Sequence, residues 1–175
     1  MEGNDSAFVL WPLYRQARRY GPLSERARIM LLPILYYTSE HKPSRAAPGQ
    51  WDVVSRSLKV WPLFSSQSSP GRYNLRVLSL FPFMDYEPIE RNYAAFWTLY
   101  SHASCGPLKE DELLWGLFRW RRSADGQKHI SVFPLFAVDR AAGGAGGSWS
   151  LLKGLAGYER AGEKKTFRLL YFLKF

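Results

Sequence analysis

Val60-Trp61-Pro62-Leu63-Phe64 is a short aromatic and apolar core with a proline at its centre, and near-copies of it recur along the whole chain. Leu10-Trp11-Pro12-Leu13-Tyr14, Leu32-Pro33-Ile34-Leu35-Tyr36, Leu80-Phe81-Pro82-Phe83-Met84 and Val132-Phe133-Pro134-Leu135-Phe136 keep the proline. Leu114-Trp115-Gly116-Leu117-Phe118 and Leu152-Lys153-Gly154-Leu155 carry glycine in its place. The later copies lie roughly 18 to 20 residues apart and the earlier ones roughly 20 to 30, so one supersecondary unit is reused with loops of varying length.

Polar punctuation separates these cores. Thr38 to Gln50, with Pro43, Pro48 and Gly49, reads as a long surface loop over 38–50, and Ala141 to Gly147 as a glycine-rich loop over 141–147. Asp125-Gly126 between two apolar runs, and Gly162 between Ala156–Arg160 and Lys165–Phe175, are hairpin signals. About nine strand-like units joined by short turns, with no amphipathic helix between them, predict an all-β antiparallel meander. Prolines cannot donate to a strand ladder and cannot all sit on edges. Pro12, Pro33, Pro62, Pro82 and Pro134, with Gly116 and Gly154, are therefore expected to crease neighbouring strands in register, giving a barrel-like or strongly bent sheet.

The chain has 175 residues, 46% of them hydrophobic and 16% aromatic, enough for one domain over 1–175 and unlike a disordered composition. A net charge of +9 points to an anionic partner, but the cations sit beside the apolar cores, as at Arg15, Arg18 and Arg19, at Arg119, Arg121 and Arg122, and at Lys164, Lys165 and Arg168. Aromatics at the centres of the most apolar segments suit packing better than base stacking, which stands against nucleic acid. The first residues contain no apolar run of signal-peptide length, and Ile29 to Tyr37 is far too short for a spanning helix.

Catalytic and metal chemistry find little footing. His41, His102 and His129 have no ligand spacing, and a lone Cys105 allows neither an intrachain disulfide nor a cysteine-rich zinc site. Glu110, Asp111 and Glu112 fall in a charged turn segment, and the 143–147 glycine run lacks the Lys-Ser/Thr of a phosphate loop. No enzyme activity, cofactor or metal is expected.

Val77, Phe81 and Phe83 alternate with Leu78, Leu80 and Met84, so both faces of that segment are apolar and both need cover. The cover would be membrane lipid, a protein partner, or a second copy of the chain. Phe167, Leu169, Tyr171, Leu173 and Phe175 form an alternating apolar series that ends on the last residue. This series resembles the terminal strand of bacterial outer-membrane β-barrels, whose C-terminal aromatic and alternate apolar residues are read by the assembly machinery. The repeats likewise look like uncharacterised bacterial Trp-Pro-Leu-Phe repeat proteins. Together the likenesses imply a non-enzymatic structural or assembly component of a bacterial envelope, in the outer membrane if a signal peptide has been removed. It would be a barrel or a barrel-like sheet completed by partners. The alternative is a soluble β-sheet scaffold mediating protein–protein or self-association.

Overall fold

The computed structural model describes residues 3–9, 13–44, 49–82, 97–144, 146–170 and 173–174. It is all-β, and the chain forms two compact units, Met1–Leu99 and Tyr100–Phe175. The first holds β1 (Gly3–Val9), β2 (Tyr14–Tyr20), β3 (Glu25–Leu31), β4 (Leu35–Pro43), β5 (Trp51–Val60), β6 (Phe64–Ser69) and β7 (Arg72–Val77). The second holds β8 (Tyr100–Cys105), β9 (Leu108–Leu113), β10 (Phe118–Arg122), β11 (Lys128–Val132) and β12 (Phe136–Arg140). It continues with β13 (Gly146–Leu151), β14 (Ala156–Ala161), β15 (Lys164–Leu169) and β16 (Leu173–Lys174). Within each unit every strand pairs antiparallel with its neighbour in sequence.

The recurring apolar cores do not crease strands; they end them. Pro33, Pro62 and Pro134 each follow a cis peptide bond inside a turn between two strands, at 32–34, 61–63 and 133–135. Gly116 and Gly154 occupy the same place in turns whose first three residues have positive φ, 52°, 57° and 81° at Leu114, Trp115 and Gly116, and 47°, 57° and 105° at Leu152, Lys153 and Gly154. A proline with no N–H suits a turn better than a ladder, and this raises the strand count: an expected kinked strand is two strands folded back at the proline or glycine, giving sixteen among the described residues rather than about nine. Pro82 lies beyond the end of β7, and Pro12 falls outside the described residues.

Successive apolar turns are tied to one another. The first amide of each donates to the last carbonyl of the previous one: Leu32 to Leu13 and Trp61 to Ile34 at 2.8 Å, and Leu78 to Leu63 at 2.7 Å. In the second unit Phe133 donates to Leu117 and Leu152 to Leu135 at 2.8 Å, and Leu170 to Leu155 at 2.7 Å. Apolar turns therefore line one edge of each sheet. The alternate turns are polar and line the other edge, as in the hairpin where Ser123 N–H donates to Gln127 O at 2.9 Å and Gly126 takes φ 86°.

The sheets do not close. Among the described residues β1 pairs with β2 and not with β7, and β8 with β9 and not with β16. The expected barrel is thus corrected, and the register explains why: Tyr14, Leu31, Leu35, Val60, Phe64 and Val77 lie directly opposite one another from strand to strand, with no stagger accumulating. A barrel requires such a shear.

Three further expectations change. The loop taken as 38–50 is shorter, because β4 continues through a bulge at Glu40/His41 to pair Pro43 with Trp51. The glycine run taken as a loop is part strand: Gly146 and Gly147 belong to β13, where a Cβ would stand 2.6 Å from Arg160 O and 2.9 Å from Asp139 O, so only glycine fits. Val77 to Met84 is not one strand with two apolar faces, because Leu78 takes φ 64° and residues 79–82 leave the ladder; Phe83 and Met84 lie outside the described residues.

That departing segment covers part of the first unit. Tyr36 Oη donates to Pro82 O and Trp61 Nε1 to Leu80 O, both at 2.9 Å. Lys59 Nζ stands 5.5 Å over the Phe81 ring, which stacks on Trp97 at 5.8 Å. Beneath it Tyr36, Lys59 and Ser65, mutually opposite on β4, β5 and β6, are buried.

Candidate interaction surface

In a strand, side chains alternate between faces, and direct cross-strand partners share one. The second unit can therefore be read in rows counted from the apolar turns. Its first row is Tyr100, Leu113, Phe118, Val132, Phe136, Leu151, Ala156 and Leu169. The third row, on the same face, continues with Trp120, Ile130, Val138, Trp149, Tyr158 and Phe167 after His102 and Asp111. Among the described residues this unit has no buried hydrophobic side chain, and Trp120, Ile130, Phe136, Leu151, Phe167 and Leu169 are all exposed.

The fifth row, still on that face, is cationic. Lys109, Arg122, Lys128 and Arg140 face one another on β9 to β12, and Gly147 separates Arg140 from Arg160, which faces Lys165. All six cations are exposed, and among the described residues none lies within ion-pair distance of a carboxylate. A depression of about 860 Å³ opens here, with Phe136, Val138, Trp149 and Tyr158 on its apolar side and Lys128, Arg140, Arg160, Asp139 and Ser148 on its polar side.

The opposite face, formed by the second and fourth rows, is polar and internally neutralised. Arg119 Nε donates to Glu112 at 2.6 Å, Arg121 Nη2 to Glu110 at 2.7 Å and Arg168 Nη2 to Glu159 at 2.9 Å. Such exposed pairs contribute about 0–1 kcal/mol each. His129 Nδ1 contacts Asp139 Oδ1, and Ser148 Oγ donates to the other carboxylate oxygen at 3.3 Å. The hydroxyl thus faces the carboxylate and not the imidazole, which is not the order of a nucleophile activated by a base.

A second histidine–carboxylate pair stands at the start of the apolar face. Tyr100 Oη donates to Asp111 Oδ1 at 2.7 Å, and His102 Nδ1 contacts the same oxygen at 2.7 Å. Burial pushes the Asp111 carboxyl up, but the hydrogen bonds from Tyr100 and His102 and the charges of His102 and Lys109 outweigh it and hold its pKa below the ordinary value. The hydrogen bond to Asp111, then burial and the nearby charge, push Tyr100 up to about 12. Cys105, three residues from His102 on β8, points to the other face, so the two do not form a thiol–imidazole pair.

The residues singled out at the C-terminus are only partly one series. Phe167 and Leu169 share the exposed face of β15, but the chain turns at Leu170, φ 52°, and Leu173 lies on β16 opposite Leu169. Tyr171 and Phe175 lie outside the described residues. Sequence reasoning noticed the cations but not their alignment. The signal was a cation two residues from an apolar one, next to each polar turn: Trp120 and Arg122, Lys128 and Ile130, Val138 and Arg140, Tyr158 and Arg160, Lys165 and Phe167.

No protein-family model matches the chain, nor does any curated protein or solved structure.

Proposed function

We propose that this protein is a non-enzymatic β-sheet scaffold of a bacterial envelope, an open meander completed by another surface laid against it. The observation that carries this reading is the second unit's first and third rows, two adjacent lines of aromatic and aliphatic side chains of which, among the described residues, none is buried and Trp120, Ile130, Phe136, Leu151, Phe167 and Leu169 are exposed. An apolar surface of that continuity marks an interaction site. The envelope location rests on the likeness of the terminal residues and of the repeats to bacterial envelope proteins. No catalytic step is assigned to either histidine–carboxylate pair, since His102 and Cys105 face apart and Ser148 addresses Asp139.

The test is a hydrophobic-dye titration and light scattering on the full chain, with and without detergent. Strong dye binding that detergent suppresses, reduced in Trp120→Ser/Phe167→Ser with the circular dichroism unchanged, is the expected result. A monodisperse monomer that binds no dye and ignores detergent would overturn the reading.

A further inference from the structure

We infer that the occupant of the second unit's apolar face is an anionic phospholipid bilayer, with the sheet lying in its interface and the cationic row at the level of the phosphates. This rests on the scaffold reading above and names its partner.

Charge complementarity decides between lipid and other covers. Arg122, Lys128 and Arg140 are direct cross-strand neighbours, as are Arg160 and Lys165. Like charges directly opposite weaken a sheet, and no carboxylate on that row relieves them. The other face of the same strands pairs its arginines with Glu110, Glu112 and Glu159, whereas on this face the carboxylate that reaches the line is Asp111, at its Lys109 end, so the stretch from Arg122 to Arg140 calls for an external anion. The line is regular, one cation per strand at a spacing of about 4.8 Å, broken only at Gly147. A repeating row of negative charge beside an apolar phase is what a phospholipid surface presents.

The distances agree. From the first row to the fifth is four residues, about 13 Å, and the apolar part of it corresponds to the roughly 5–10 Å depth at which interfacial elements bury. The apolar turn edge enters deepest, with Leu135 and Leu155 exposed there and Lys153 drawn over the Phe133 ring at 4.4 Å, and the long cationic side chains of the fifth row reach up to the headgroups. Where the row is broken at Gly147, Arg140 and Arg160 line the depression together with Trp149, Asp139 and Ser148.

The corresponding row of the first unit sharpens the point. It runs Asp5, Arg18, Ala27, Ser39, Arg56, Ser68 and Tyr73, mixed in charge and opening on an Asp5–Arg18 opposition. Lipid binding is accordingly assigned to the second unit alone.

The experiment is co-sedimentation of the full chain with sucrose-loaded vesicles, either pure phosphatidylcholine or containing about 30 mol% phosphatidylglycerol, with tryptophan emission followed in parallel. Binding to the anionic vesicles with a blue shift is expected, weakening as salt rises from about 0.1 M to about 0.5 M. Arg122→Gln/Lys128→Gln/Arg140→Gln should lose about a hundredfold in partitioning, three charges at about fivefold each. Its melting temperature should not fall, because the change relieves like-charge contacts. Arg121→Gln, on the other face, should bind as the parent does.

Equal binding to both vesicle types, or a triple variant that partitions like the parent, would overturn the inference. So would binding to neither, and the dye and scattering measurements then separate the cases. A protein that ignores vesicles but self-associates through the apolar face keeps the scaffold and loses the lipid, while one that also binds no dye loses both. Should the triple variant fail to fold, the salt dependence of the parent decides alone.

Discussion

The two units share one repeat and treat its faces differently. Both run a line of apolar residues next to the apolar turns, Tyr14 to Val77 in the first and Tyr100 to Leu169 in the second. One residue further from the turns they diverge. In the first unit the second row contains Tyr36, Lys59 and Ser65, sealed beneath Phe81 and Pro82 and only 4%, 2% and 2% exposed. In the second it contains the Glu112–Arg119 pair and Ser131, together with Arg168, which pairs with Glu159 of the fourth row. The repeat therefore sets the meander, while the positions between its copies decide which face is covered, which is solvated and which waits for a partner.

The largest effect should come from opening the sealed cluster of the first unit. Tyr36→Ala removes a buried ring and its hydrogen bond to Pro82 O, and should cost about 3–5 kcal/mol. Ile130→Ala, on the exposed third row of the second unit, should cost less than about 1 kcal/mol because its side chain is already 40% in water. Urea unfolding of both variants measures the difference. Equal costs would mean that the second unit is buried by self-association in solution and that the contrast between the units belongs to the isolated chain only.

A smaller loss tests how tightly the second unit's sheet is drawn at its polar edge. Gly146→Ala places a methyl 2.6 Å from Arg160 O, and backbone rather than a flexible side chain must give way. A destabilisation of about 1–3 kcal/mol is expected from the overpacking. Gly162 has open space around it but φ 62°, so Gly162→Ala isolates the conformational cost without a clash. If Gly146→Ala is the milder of the two in thermal melts, β13 is looser than its register with β14 implies.

The alternation of apolar cores with polar turns was legible in the sequence as an all-β antiparallel meander, because period and punctuation are local properties. The role of the prolines was not. Trp61-Pro62-Leu63 is apolar enough to pass for the middle of a buried strand, and only the turn-to-turn bonds, such as Trp61 N–H to Ile34 O, place it at an edge. Closure was equally invisible, since shear is a property of register across many strands. The cationic row shows the same limit: Arg122 and Lys128 are read in sequence as flanks of a turn, and only the pairing of β10 with β11 sets them face to face and extends the line to Arg140.

The finest comparison is between one tyrosine of each unit. Burial raises the pKa of Tyr36, whereas for Tyr100 the hydrogen bond to Asp111 comes first, with burial second, and carries it from an ordinary 10.0 to about 12. Because the folded pKa of Tyr100 lies above the unfolded one, its contribution to stability is complete below pH 10.0 and is lost as pH rises through about 12. Asp111 acts with the opposite sign: its folded pKa is depressed, so its contribution is present above the ordinary 3.8 and disappears as pH falls through the folded value. Asp111→Asn should therefore flatten both limbs of the stability–pH curve and bring the phenolate absorbance of Tyr100 to lower pH, with Tyr100→Phe identifying the band. High salt should shrink the carboxylate's share of the Tyr100 shift and leave that of Tyr36, which burial causes, in place. A Tyr100 titration unmoved by Asp111→Asn would show that burial governs it too, and the electrostatic distinction between the sealed and the open unit would be gone.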